Sequence, residues 1–318
     1  MADDIQAFDL DWLGDGDGLS PVLAECFGAR IVSVVQVGTG FYARVFKAEL
    51  DRDPWHVIVK CHKFAGRSRK EGQQLAALRE VATTRVPQVY EVHPYADGFR
   101  CEALSMEFIP GINASKAVFP NKKIERRFVD QVVENLLAWH AVNNERGFGE
   151  LGGPFTSTWI EHFRARIASY RRRLHQDERR AVVSDHVMRI VERSFENMEG
   201  IFQNSSPTSS LVHSDYNAWN MMVDPITSEL TGVIDPIDAG WSDFEIDLFH
   251  LPNCRPELGL LERYLKEIQV DEGFWLRFKF YRFWDDVKHY VRMGWYEEGR
   301  FRRYGDELMA AMREMHLD

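Results

Sequence analysis

Residues 211–224 read LVHSDYNAWNMMVD. Two short apolar runs, Leu211-Val212 and Met221-Met222-Val223, enclose a polar patch holding His213, Asp215, Asn217 and Asn220. Fifteen residues beyond Asn220 a second acid, Asp235, closes another apolar run, Gly232-Val233-Ile234. A carboxylate at the end of a buried strand is costly unless it has a partner. Two of them in one site repel. A divalent cation removes both problems, and Mg2+ takes hard oxygen ligands from one or two carboxylates and substrate phosphates. The Asn220 amide and Asp235 make such a ligand set, which leaves Asp215 free to face a hydroxyl nucleophile.

The step from Asp215 to Asn220 is the D-x-x-x-x-N spacing of a kinase catalytic loop, followed by an acid placed to hold metal. Taken alone, those six residues serve a plain turn equally well. Working upstream, a kinase needs a cation on the nucleotide phosphates. Lys60 ends the strand-like run VIVK, and eleven residues later Glu71 stands early on a predicted helix over 67–78. A Glu there can hold the ammonium by a charge-assisted hydrogen bond. Glu80 competes for that role, but Glu71 lies nearer the helix start. The turn Gly38-Thr39-Gly40-Phe41-Tyr42-Ala43 joins two predicted strands and opens no helix, which disfavours a dinucleotide fold. Between strands it suits a flap whose backbone N–H groups cover phosphates. In Ser105-Met106-Glu107-Phe108-Ile109-Pro110-Gly111 the backbone carbonyl of Glu107 and the N–H of Ile109 are placed to meet a nucleotide base.

The texture around these motifs predicts two lobes. Residues 1–24 are acidic and interrupted by Gly14, Gly16, Gly18 and Pro21, and read as a loose lead-in. Residues 25–108 give strand, strand, strand, helix, strand, strand, a small α+β lobe with an antiparallel sheet and one helix. Residues 109–318 are mainly helical. Ile124, Phe128, Val132, Leu136 and His140 recur every four residues, and further helices are predicted near 157–176, 184–203 and after 257.

The chain has 318 residues, of which 45% are hydrophobic and 28% charged, with a formal net charge of −10. That balance opposes a general nucleic-acid role, because phosphates are repelled. It suits a cationic small substrate or simply solubility. The Arg-rich run 164–180 (RARIASYRRRLHQDERR) reads as the solvated face of a helix rather than an RNA patch. Cys26, Cys61, Cys101 and Cys254 form no C-x-x-C pair and read as free thiols of a cytoplasmic protein. The first residues show no signal-peptide pattern and no apolar run is long enough to span a membrane.

The ordered set GxG, VIVK, Glu71, MEFIPG, HSDYNAWN and IDPIDAGWSDFEIDL resembles the aminoglycoside phosphotransferase and fructosamine kinase superfamily, small-molecule kinases with a protein-kinase-like fold. The likeness spans about residues 30–250, and the Pro after Asp235 is closer to the fructosamine kinase form. It implies an α+β two-lobed fold, ATP or GTP as co-substrate, and a sugar, ketosamine or amino sugar as hydroxyl acceptor. An antibiotic phosphotransferase is the alternative, and a non-catalytic nucleotide-binding pseudokinase is the alternative of a different class. By the resemblance Asp215 is the base or hydroxyl-orienting group, Asn220 and Asp235 hold Mg2+, and Lys60 contacts the α and β phosphates. His213 braces the loop and Asp247 bonds to its backbone. Ser214 departs from the pattern, standing where the family usually has Gly. No activation segment ending Ala-Pro-Glu is found, against a protein kinase. Asp238, Asp285 and Asp286 are candidates to bind substrate amino groups, with solvated helix faces as the competing account. Monomer and homodimer both fit this reading.

Overall fold

A computed structural model describes residues 6–96 and 99–317. The chain divides into two compact units. The first comprises Met1–Pro120 with Trp219–Ile237, and the second Asn121–Ala218 with Asp238–Asp318.

In the first unit the β-branched segments form a five-stranded antiparallel sheet. Its strands are β1 (Ile31–Thr39), β2 (Ala43–Leu50), β3 (His56–His62), β4 (Val89–His93) and β5 (Glu102–Glu107), in the order β1-β2-β3-β5-β4. Side chains alternate across a strand. On β3, Val57, Val59 and Cys61 enter the apolar core with Phe46 and Leu50 of β2. Lys60 and His62 are therefore delivered to the opposite face. There they bond to Glu71 on the helix Arg67–Val81. The strand register pairs Lys60 with Val45 on one side and Leu104 on the other, so neighbours fix its position from both edges. Strands Met221–Val223 and Leu230–Val233 pair antiparallel, with Met221 opposite Val233, and Ile112–Asn113 adds a third strand.

The lead-in differs from its sequence reading. Two 3-10 turns, Asp11–Leu13 and Asp17–Leu19, precede a helix at Ser20–Phe27. Phe8, Leu10, Leu13, Leu19 and Leu23 bury their side chains in the same core as β2 and β3. The Asp and Gly residues between them supply the tight turns. They also disguised the apolar spacing. The sequence boundary at 108/109 likewise differs from the unit division, which keeps residues 109–120 and the two strands at 221–233 with the first unit.

The second unit is mainly helical, with a four-stranded sheet of the short strands Phe148–Glu150, Phe155–Thr156, Ser210–Val212 and Gly240–Ser242. Lys122–His140 buries Phe128, Val129, Val132, Val133, Leu136 and Trp139, the stripe expected from its period. Asn121 caps it, accepting from the N–H groups of Lys123 and Ile124. Helix Trp159–Leu174 starts with a Thr158–Glu161 capping box. The segment expected as one helix over 184–203 is Asp185–Glu196 followed by a separate turn, Met198–Ile201, broken at Asn197. Long helices at Phe274–Met293 and Glu298–Glu314 close the chain. No helix among the described residues is long and apolar enough to cross a membrane.

Candidate active site

The Lys60 ammonium meets Glu71 Oε1 at 2.9 Å and Asp235 Oδ1 at 2.5 Å. Glu71 is therefore the helix acid that engages the lysine, while Glu80 is exposed. Burial alone pushes the Glu71 carboxyl up. The Lys60 ammonium and the His62 ring outweigh burial and hold it at about 2. For Lys60, burial favours the neutral amine, but Asp235 and Glu71 prevail and raise it above the usual lysine range. The ion pair thus stays charged through neutral pH.

His62 is a member of this cluster that the sequence reading missed. Its Nε2 lies 2.9 Å from Glu71 Oε2 and its Nδ1 lies 2.8 Å from Ser68 Oγ. It occupies the second oxygen of Glu71 and leaves the first to Lys60. The signal was present, because His62 follows Lys60 by two on one strand and must share its face.

Asp235 is held in a left-handed backbone conformation, φ +62°, just past the strand Leu230–Val233. The N–H of Ile234 donates to the Asn220 carbonyl at 2.9 Å, so the two segments carrying the expected metal ligands run side by side. The Asp235 side chain is 46% exposed, open to a ligand on its outer side. A carboxylate and an amide oxygen at adjoining strand ends, one open to solvent, fit a hard cation that completes its shell with phosphate and water. A pocket of about 490 Å³ lies in this unit. It is lined by Gly38 and Val45 of the sheet, Glu107 at the end of β5, Ile109 just beyond it, and Lys60 and Asp235. The Glu107 carboxylate is engaged by Arg79 at 3.1 Å and Arg85 at 2.8 Å, which fixes the end of β5. Gly40 anchors the preceding turn, its N–H donating to the Ala43 carbonyl at 2.9 Å.

The D-x-x-x-x-N loop is divided between the units, with Asp215 in the second and Asn220 in the first. In the second unit the loop is organised by Asp247. Its carboxylate accepts from the backbone N–H groups of His213 at 2.9 Å and Ser214 at 2.6 Å, and lies 3.2 Å from His140 Nε2. Burial pushes Asp247 up, but His140 and the loop donors hold it below the ordinary carboxylate range. The His213 ring stacks on Trp139 with centroids 5.8 Å apart. Asp215 accepts from Asn217 Nδ2 at 2.7 Å, and His250 Nδ1 lies 3.7 Å from its Oδ1.

Ser214 has φ +64°, the conformation in which a Cβ is strained. A non-glycine residue there costs about 1–2 kcal/mol, while glycine loses about 0.5–1 kcal/mol more backbone entropy on folding. Ser214→Gly is therefore expected to leave stability unchanged or raise it by up to about 1 kcal/mol. Urea denaturation checks this; a clear loss would mean that the hydroxyl itself stabilises the loop.

Buried His250 is held neutral. Burial is the main cause and brings it down to about 4, with the Asp285 carboxylate opposing. A histidine depressed in the folded state contributes stability above its unfolded value near 6.5, and that stability is lost as pH falls toward 4. Between pH 7 and pH 5 the loss is about 2 kcal/mol. Denaturant titrations of the wild type and His250→Gln at both values are expected to show this slope in the wild type and its flattening in the variant. Equal slopes would contradict it.

The acids assigned to substrate amino groups already have cationic partners. Asp238 bonds to Arg292 at 3.2 Å, Asp285 pairs with Lys288 and lies 3.3 Å from His289 Nδ1, and Asp286 takes both ends of Arg300 at 2.7 and 2.8 Å. Asp238 and Asp285 line a second pocket, together with Ser214 and His250. Asp243 is fully buried, accepting from the Glu245 N–H at 3.0 Å and the Tyr281 hydroxyl at 3.3 Å, and is a framework residue.

The profile of the phosphotransferase enzyme family matches residues 33–276. The uncharacterized protein YcbJ of Escherichia coli K12 is 23% identical over 249 residues, 78% of this chain and 83% of that protein. Among solved structures, a candidate fructosamine-3-kinase from Haemophilus somnus superposes with TM-score 0.72 at 18% identity, covering 95% of this chain and all of that one. One from Thermobifida fusca gives 0.65 at 21%, covering 94% and 99%. A thermostable mutant of the aminoglycoside phosphotransferase APH(4)-Ia, solved with AMP-PNP and hygromycin B, gives 0.69 at 16%, covering 94% and 99%. These likenesses carry the kinase-like fold. With the family match over most of its length, the chain belongs to the phosphotransferase enzyme family and is a small-molecule kinase.

Proposed function

We propose that the chain moves the γ-phosphoryl group of ATP or GTP to a hydroxyl of a sugar, ketosamine or amino sugar. The acceptor O–H gives up its proton as the new O–P bond forms. The bond from the γ-phosphorus to the bridging oxygen breaks, and the nucleoside diphosphate leaves. The observation that carries this reading is the buried Lys60–Glu71 pair whose ammonium also reaches the partly exposed Asp235. A lysine fixed by a helix acid and set beside a second carboxylate is the apparatus that receives a metal-bound triphosphate.

In this reading Lys60 binds the α and β phosphates and the turn at Gly38 and Gly40 covers them. The Glu107 carbonyl and the Ile109 N–H meet the base. Asn220 and Asp235 hold Mg2+, whose charge offsets that of the phosphates. Asp215 orients the acceptor hydroxyl and takes up its proton, while His213 and Asp247 hold the loop. Catalysis then comes chiefly from positioning and fixed charge. The AMP-PNP bound in the APH(4)-Ia structure supports ATP as donor. Its hygromycin B keeps an aminoglycoside acceptor as the second reading.

A coupled ADP-release screen with Mg2+, over sugars, ketosamines, amino sugars and aminoglycosides, tests it. Metal-dependent turnover of one class is the expected result, and a resistance assay separates the antibiotic reading. Stabilisation by nucleotide with no consumption under any acceptor would instead describe a pseudokinase.

A further inference from the structure

Helix Trp159–Leu174 turns Phe163, Ile167 and Tyr170 inward, and all three are buried. Arg166 stands at i+3 from Phe163 and at i−4 from Tyr170, on that same inward stripe. It lines the second pocket, which opens beside Ser214 and His250. In the run 164–180, Arg173 bonds to the Val291 carbonyl and Arg179 to the Gln176 amide oxygen, while three arginines find acids, Arg164 on Glu199 at 2.9 Å, Arg171 on Glu192 and Arg180 on Asp185. Arg166 does not. Its guanidinium contacts the His162 ring at 3.4 Å and no carboxylate among the described residues.

The charge around it favours an anion. The acids lining the pocket, Asp238 and Asp285, are bound to Arg292 and to Lys288. Lys288 itself lines the cavity, and His250 is neutral because burial holds it at about 4. Arg166 is thus left as a fork of donors with no carboxylate partner in a wall that is otherwise uncharged or internally neutralised. A guanidinium fork matches a carboxylate or a phosphate with two parallel bonds.

We propose that this pocket takes a hydroxyl acceptor that carries an anionic group, a carboxylate or a phosphate ester, and that Arg166 binds that group. The proposal rests on the phosphotransferase reading above and narrows its acceptor. A polycationic amino sugar would meet Arg166 with like charge, and would find the acids already taken.

The test uses the full chain with four matched probes: a hexose, its 6-phosphate, the corresponding hexuronate and the hexosamine. Each is assayed by ADP release and by isothermal titration. In the wild type one anionic probe is expected to exceed the neutral hexose by tenfold or more in kcat/KM, with the hexosamine lowest. In Arg166→Gln the anionic-to-neutral ratio is expected to fall about tenfold to a hundredfold, through KM, as befits loss of hydrogen bonds to a charged group. Arg166→Lys should recover part of it, which a merely structural arginine would not show. A hexosamine preference, or a ratio unchanged in Arg166→Gln, overturns the proposal even if the kinase reading stands. Should no probe turn over, titration decides: anionic binding that Arg166→Gln does not weaken overturns it equally. The carboxylate and phosphate probes separate the two sources of the anion.

Discussion

Asp215→Ala is expected to lower phosphoryl transfer by about 10²–10⁴-fold, the usual contribution of a positioned acid–base group. The Lys60–Glu71–Asp235 cluster belongs to the other unit and keeps its own bonds, so nucleotide binding should stay close to wild type. Asp215→Asn sharpens the measurement. It keeps the Asn217 contact within reach and removes the charge that accepts the proton. Both variants should therefore show an intact nucleotide-induced shift in melting temperature with almost no ADP formed. Undiminished turnover in either would remove Asp215 from its role.

The second large effect belongs to Glu71. Glu71→Ala strips a buried ammonium and a buried imidazole of their common partner. Breaking one side of a buried ion pair costs roughly 3–5 kcal/mol. Asp235 remains as a partner for Lys60, which moderates the loss, so about 3 kcal/mol is expected in urea unfolding. Turnover should fall at least a hundredfold, since a displaced lysine no longer offers its charge where the phosphates develop theirs. Glu71→Gln keeps the shape and separates the two effects, retaining much of the stability and little of the rate. Because the carboxyl is held at about 2, its stabilising share is present above pH 4.5 and is lost only as pH falls toward 2. Activity loss with a wild-type unfolding curve would mean that the pair serves the reaction alone.

What the sequence made legible follows physical period and spacing. The run VIVK, preceded by the turn residues 51–54, reads as a strand, and it lies in the central β3. The long period in Ile124–His140 had to be a helix. Glu71 was readable because a helix that starts soon after the strand, at Arg67, brings its first turns back over that strand. Contacts between residues far apart in the chain were less readable. The pairing of Asp286 with Arg300, and of Asp238 with Arg292, crosses turns whose geometry no local rule supplies. Asp285 was different: Lys288 and His289 stand at i+3 and i+4, so its neutralisation was there to be seen. Arg166 was hidden by company. Counted within an Arg-rich run it looked like solvated charge, and only its phase relative to Phe163, Ile167 and Tyr170 sets it apart.

The 2.5 Å contact between Lys60 and Asp235 also bears on the order in which ligands arrive. On the proposed reading, the acid meant for the cation is clasped by the lysine meant for the nucleotide. A bare divalent ion must then compete with an ammonium for its own ligand. A nucleotide that brings its ion along offers the lysine a new anion at the moment the acid is released. Such an exchange discriminates against free metal and couples the two arrivals into one event.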